Sequence, residues 1–316
     1  MNAPAKTVPS VRNIIRYITS ESARKSRAAF CNIIRYKPAG AGVARGGAGD
    51  GGAGGVVWLV GAGPGDPELM TLKAQRLVAE ADAIVHDALI PRAVLGWARV
   101  GAELFDVGKR CGAHAARQDE IDALLVRLAR AGRRVVRLKG GDPSVFGRVG
   151  EELAALRAAG VACEIVPGVT AALAAAAALQ LPLTDRRASP AVVFVTGHPA
   201  PDAGHAPIDW AAYARLDATL CVYMGVRSFA RIVGELIAGG RAVDTPVALV
   251  SAAATPAQQI QVATLGTAAA VADAVALPTP ALVIVGEVVR AAEIARAWPT
   301  PENAVACADA GDVEGA

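Results

Sequence analysis

Two glycine-rich turns, each directly after a short apolar run, set most of what this chain can fold into. Gly61-Ala62-Gly63-Pro64-Gly65-Asp66 closes the run that starts at Val56, and Lys139-Gly140-Gly141-Asp142-Pro143 closes the run Arg134–Leu138. Four to eight apolar residues bounded by Gly and Pro are the pattern of a buried parallel strand. Glycines at the carboxyl end of such a strand let bare backbone reach φ > 0 and approach a ligand closely. The lip formed by those carboxyl ends is where open α/β sheets bind small molecules.

The rest of the folded part keeps the alternation of strand and helix. Helical spacing over Glu68–Glu80, Gln118–Arg130 and Val149–Ala158 is interleaved with strands at Ala83–His86 and Ala162–Val166. After the alanine helix Ala171–Leu179 and a turn at Pro182, strands are expected at Ala191–Thr196, Thr219–Tyr223, Val247–Val250, Gln258–Val262 and Leu282–Val285. Helices near Val226–Ala238 and Ala292–Trp298 complete the pattern. This predicts two α/β domains in series, residues 55–185 and 186–299, joined near Leu181–Ser189.

The ends differ in composition. Residues 1–54 hold nine Lys/Arg against two acids, repeat the pentapeptide NIIRY at 13–17 and 32–36, and finish in a Gly/Ala linker. They read as a disordered basic leader, dispensable for the fold. Residues 300–316 hold four acids and no base, an acidic tail. Between them the charges balance, so no basic face for nucleic acid is expected. Although 53% of residues are hydrophobic, no apolar run approaches the ~18 residues of a membrane span. Five widely spaced cysteines without a C-x-x-C pair fit neither a zinc site nor a disulfide framework; reduced thiols and a cytoplasmic location are expected.

On the first turn alone a dinucleotide enzyme is a rival, because Asp87 follows Gly61 at nearly the offset of a ribose-binding acid. The spacing is G-x-G-x-G, however, and Pro64 removes an N–H from a loop that should cradle phosphate. The second turn is a feature that such an enzyme does not need.

With these turns in place the chain resembles the tetrapyrrole methylase family, and within it the uroporphyrinogen-III C-methyltransferases. The resemblance is carried, in order, by VGAGPGD (60–66), MTLKA (70–74), VGKR (107–110), RLKGGDP with FGR (137–148), PGVTAA (167–172), LPLT (181–184), TGH (196–198) and YMG (223–225). It spans about Val56 to Trp298. It implies the family's fold, with an active site in the cleft between the two domains, and a homodimer. The activity it implies is transfer of two methyl groups from S-adenosyl-L-methionine to C2 and C7 of uroporphyrinogen III, giving precorrin-2 for sirohaem or cobalamin, without metal. A leader of 54 residues is too short for the dehydrogenase/ferrochelatase module of bifunctional relatives, so one activity is expected. A later corrinoid-pathway methyltransferase and a non-catalytic tetrapyrrole binder are the competing readings.

The resemblance also implies site roles. Pro64, Gly140, Gly141, Asp142, Val145, Thr170, Ala171, Met224 and Ala253 would contact the methyl donor. Arg110, Arg148 and Arg186 would hold the substrate's carboxylates, since a guanidinium can grip one bidentately. Asp87 is the implied base for the proton lost after methyl transfer, with Lys109 beside it. His114 matches a family histidine and reads as structural. The sequence departs from the family at His86 (usually Tyr), at Asp185 (usually His) and at Ala253 (usually Gly).

Overall fold

The structure is a computed structural model that describes residues 55–108, 117–198 and 207–292, together with the backbone of Ile34–Tyr36. The chain divides into two compact units, one ending at Thr170 and the other starting at Ala171.

The first unit is built on a six-stranded sheet of β1 (Ile34–Tyr36), β2 (Val56–Gly61), β3 (Ala83–His86), β4 (Glu103–Asp106), β5 (Arg134–Lys139) and β6 (Ala162–Val166), in the order β1-β4-β3-β5-β2-β6. All neighbours pair in parallel except β1, which runs antiparallel along β4. Alternating side chains serve opposite faces. Val60, Ile84, Leu104, Val136 and Leu138 pack with Leu77 and Val78 of helix α1 (Leu72–Glu80) and with Val94 of α2 (Arg92–Leu95). Val57, Leu59, Ala83, Val85 and Val135 pack with Leu124 and Leu125 of α3 (Gln118–Arg130) and Leu156 of α4 (Val149–Ala158).

Register brings the functional segments together. Gly61 pairs with Lys139, Val60 with Val166, and His86 with Leu138, so β2, β3, β5 and β6 all end at one edge of the sheet. Strand β5 returns between β2 and β3, which were laid down earlier, and this strand-order change marks the crevice where α/β sheets take ligands.

The second unit contains α5 (Ala171–Ala178) and a five-stranded sheet in the order β10-β9-β11-β8-β7. Its strands are β7 (Val192–Thr196), β8 (Thr219–Tyr223), β9 (Pro246–Ser251), β10 (Gln259–Thr264) and β11 (Ala281–Val285). Only β7 and β8 are parallel; β11, β9 and β10 pair antiparallel. One face is covered by α6 (Trp210–Ala214), α7 (Phe229–Ala238) and α8 (Leu265–Ala274). The other face receives the alanine helix α5.

Several expectations need adjusting. The unit boundary lies before the alanine helix rather than after Asp185, because the helix buries its alanines against Cys221, Val250 and Ile284 of the second sheet. The helix expected over Glu68–Glu80 is broken: a single 3-10 turn, Pro67–Leu69, ends at Met70, and α1 restarts where the Thr71 side chain accepts the Ala74 N–H. Val226–Ala238 splits likewise into a 3-10 turn, Val226–Ser228, and α7. Strand β4 and helices α2, α6 and α8 were not anticipated. The helix expected at Ala292–Trp298 falls almost wholly outside the described residues, and a 3-10 turn occupies Glu287–Ala291.

Within the leader, Ile34–Tyr36 pairs with the β4 edge, a departure from the unpaired chain expected there. Its β-branched and aromatic composition suits an edge strand. Every other pairing between these strands lies within residues 56–285. Deleting residues 1–54 should therefore lower the thermal midpoint by no more than about 5 °C, the scale of one or two kcal/mol in a chain this size. Scanning calorimetry of the truncated protein checks this, and a larger fall would make the leader part of the fold.

Candidate active site

Three glycine turns converge at the carboxyl edge of the first sheet. A Cβ on Gly61 would lie 2.6 Å from the Gly141 carbonyl oxygen and 2.7 Å from the Gly168 Cα, so only glycine permits this approach. The first two turns are joined by reciprocal hydrogen bonds: Gly141 N–H donates to the Gly63 carbonyl at 2.7 Å, and Gly63 N–H to the Gly141 carbonyl at 3.2 Å. Gly63 and Gly141 adopt φ of +73° and +66°, the left-handed region where a side chain is strained.

Asp142 fastens the third turn. Its Oδ2 accepts the Gly168 N–H at 2.9 Å, and its Oδ1 accepts the Ser144 N–H at 2.8 Å and the Ser144 hydroxyl. The carboxylate is thus engaged by the loops themselves. Beside it Gly140 is exposed, with nothing nearer to a notional Cβ than the Leu89 Cβ at 3.9 Å. Pro64 and Val145 are half-buried, and Thr170 is buried. Bare backbone and one proline without an N–H fit an uncharged nucleoside or a sulfonium better than a phosphate.

Asp87 follows β3 at the same edge, one-third exposed, and its N–H donates to the Leu138 carbonyl at 3.3 Å. Its Oδ1 accepts from Arg137 Nη2 at 2.6 Å. Behind it lies a buried charge cluster. Arg137 Nε donates to Glu152 Oε1 at 2.9 Å, and Lys139 Nζ reaches both Glu152 oxygens at 2.8 and 3.0 Å. Burial disfavours the Arg137 guanidinium, yet Asp87 and Glu152 outweigh it and raise its pKa. Burial and the neighbouring Arg137 charge lower Lys139, with Glu152 opposing. On α3, burial raises the Asp122 carboxyl to about 6, helped by Glu152 and Glu151. His86 is buried, its Nδ1 3.0 Å from the Asp87 carbonyl oxygen.

Lys109, Arg110 and His114 lie outside the described residues. Gly108, just before them, abuts the Ala88 backbone so closely that a Cβ there would collide with it. Arg148 has φ +56° and is exposed; its fork lies bidentately on Glu151 at 2.8 and 2.7 Å. To take a substrate carboxylate it would exchange that partner.

The second unit contributes its own strand-end turns. Met224 follows β8 with φ +54° and is 53% exposed, so it does not fill the core. Tyr223 carbonyl accepts the Gly197 N–H at 2.7 Å, and Gly197 rests directly on the Gly225 backbone. Ala172 N–H, in the first turn of α5, donates to the Tyr223 hydroxyl at 3.1 Å. Ala253 is buried between Ala252 and Ala254, which both adopt left-handed φ (+46° and +58°). Ala252 N–H is held by the Pro280 carbonyl at 2.9 Å, and Ala254 N–H by Gln258 Oε1 at 2.9 Å. Ala171 is half-buried and Arg186 exposed.

The sequence matches the family profile described as Tetrapyrrole (Corrin/Porphyrin) Methylases over residues 56–269. The chain belongs to this tetrapyrrole methylase family. A uroporphyrinogen-III C-methyltransferase of Synechocystis sp. is 46% identical over 235 residues, 74% of this chain and 89% of that protein. A siroheme synthase of Gluconacetobacter diazotrophicus is 47% identical over 237 residues, 75% of this chain. The chain spans about half the length of such siroheme synthases. Among solved structures, the Thermus thermophilus uroporphyrin-III C-methyl transferase complexed with S-adenyl homocysteine superposes with a TM-score of 0.64 at 45% identity. That match covers 74% of this chain and 99% of the other.

Two of this chain's departures from the family pattern now have a local account. Asp185 Oδ1 accepts the Arg187 N–H at 2.8 Å, and its backbone N–H and carbonyl bracket the Ser189 turn. The Arg187 N–H and guanidinium hold its carboxyl below the ordinary value. At Ala253, the flanking residues Ala252 and Ala254 carry the left-handed bends without glycine. The sequence reading missed Arg137, Lys139 and Glu152. The signal in the sequence was two cations at i and i+2 of one strand, and hence on one face; that this face is the core shows only in the fold.

Among the described residues no helix is long and apolar enough to cross a membrane, and no group of three or more His, Cys, Asp or Glu is placed to hold a metal. Cys163 and Cys221 are free thiols, and burial pushes the Cys221 thiol up to about 12.

Proposed function

We propose that this chain is an S-adenosyl-L-methionine-dependent uroporphyrinogen-III C-methyltransferase that methylates C2 and C7 and so makes precorrin-2 for sirohaem or cobalamin synthesis. The observation that carries this reading is the 46% identity spanning 89% of the Synechocystis enzyme. The glycine edge supports it, since its bare backbone and lack of a phosphate cradle suit a nucleoside sulfonium. The donor supplies an electrophilic methyl group when bound.

The chain's own part is orientation and proton handling. Pro64, Gly140, Gly141, Val145 and Thr170 would contact the donor, and the family's pattern gives Ala171, Met224 and Ala253 the same role. Asp142 acts one step back, by holding the second and third turns together through Gly168. Arg110, Arg148 and Arg186 would take the acetate and propionate groups of the macrocycle. A pyrrole carbon forms the new C–C bond as the methyl–sulfur bond breaks, leaving a thioether. The proton then lost from the adjoining meso carbon would go to Asp87, with Lys109 as the partner that the family's pattern implies. Effective concentration of the aligned carbon accounts for most of the acceleration. We further propose a cytoplasmic homodimer acting without added metal or nicotinamide.

Incubation with uroporphyrinogen III and labelled S-adenosylmethionine should give a product heavier by two methyl groups and no more. Mass spectrometry showing no methylated product, or transfer only on addition of a divalent metal, would overturn the reading.

A further inference from the structure

We propose that Arg137 is a positioning residue for proton removal, holding the Asp87 carboxylate in place from within the core. This rests on Asp87 being the proton acceptor. Among the described residues the Asp87 side chain has one hydrogen-bond partner, Arg137 Nη2 at 2.6 Å. Arg137 itself is 2% exposed and cannot swing away. Its Nε is fixed by Glu152 Oε1 at 2.9 Å, and its Nη1 lies 3.4 Å from the Val85 and Leu138 carbonyls. A planar fork anchored on one side and aimed on the other leaves the Asp87 oxygen little freedom.

The cluster is also more than Glu152 requires. Lys139 alone places its ammonium on both Glu152 oxygens, which satisfies and neutralises that carboxylate. Arg137 adds a second buried cation, and its counter-charge is Asp87, the only member of the four that reaches solvent. Buried ion pairs seldom add stability over well-packed apolar side chains. Here, on a face shared with Leu124, Leu125 and Leu156, apolar residues would pack. The arrangement spends core positions on fixing one carboxylate at the ligand edge. Beside the cluster, Asp122 on α3 feels the charges of Glu152, Glu151 and Arg148.

The test is a double-mutant cycle in the full chain. Arg137→Met leaves Lys139 and Glu152 paired, so the remaining buried charges still balance. Its kcat should fall about 10–100-fold, the scale of a misplaced reacting group, while KM for uroporphyrinogen III and affinity for S-adenosylhomocysteine change less than about threefold. If Arg137 acts through Asp87, the Asp87→Asn/Arg137→Met double variant is no slower than Asp87→Asn alone. Multiplying losses in the double variant, or wild-type kcat in Arg137→Met, would overturn the proposal. A wild-type rate in Asp87→Asn would instead remove the base reading, and with it the role given to Arg137. Should the methionine variant fail to fold, Arg137→Lys carries the same comparison, since one ammonium cannot hold Glu152 and Asp87 together.

Discussion

Replacing Asp87 by Asn should lower kcat by roughly 10²–10⁴-fold, the usual cost of losing a general base, with S-adenosylhomocysteine affinity almost unaltered. The amide keeps the size of the carboxylate and can still accept from Arg137 Nη2, so the carboxyl edge of β3 should stay as it is. What it loses is the ability to take a proton. The alternative for an acid at this offset from a glycine turn is binding a ribose hydroxyl. In that case affinity collapses and turnover at saturation survives. Single-turnover rates and calorimetric binding on the same variant separate the two outcomes, and weak binding with near-normal turnover would refute the base assignment.

A single methyl group at Gly168 should be nearly as damaging, by another route. In Gly168→Ala the new Cβ would collide with the Gly141 carbonyl oxygen and lie 2.9 Å from the Gly61 Cα. All of these are backbone atoms of paired strand ends, so no flexible side chain can yield. One of the three turns has to move. Overpacking of this kind costs roughly 1–3 kcal/mol, or a fall of several degrees in the thermal midpoint. Because the displaced backbone includes Gly141, which is assigned to the donor, S-adenosylhomocysteine affinity should fall more than about tenfold. Gly160→Ala is the control. Its φ is +67°, but nothing lies within 4 Å of the added atom. It should show a comparable stability loss from left-handed strain alone, with binding intact. Equal losses of affinity in both variants would mean that the glycine edge does not hold the donor.

The strand ends and their glycine turns were legible because both signals are local. An apolar run stops, and glycine appears where backbone must bend or touch backbone. The strand expected to start at Val56 does so and ends at Gly61, the first residue of its turn, and the Arg134–Leu138 strand runs one residue further, to Lys139. The insertion of β5 between β2 and β3 was not legible, since strand order depends on pairings far apart in sequence. Nor was the antiparallel half of the second sheet, whose buried strands β9 and β11 carry the same continuous apolar runs as parallel ones. Helix α8 is rich in alanine, and the apparent capping box at its start pairs Thr264 with Thr267 rather than with an acid, which weakens its sequence signature. The cluster of Arg137, Lys139 and Glu152 was hidden because charges in a strand ordinarily mark a solvent face. Only the fold shows that these point inward.

The hydrogen bonds from Gly168 and Ser144 to Asp142, and the pair between Gly63 and Gly141, tie the turns to one another through the chain's own atoms. The entropy of ordering these turns is therefore charged to folding and not to complex formation. The two transfers proposed above require a spent donor to leave and a fresh one to enter between them. Turns held by their own backbone and by Asp142 leave that exchange a matter of desolvation and docking.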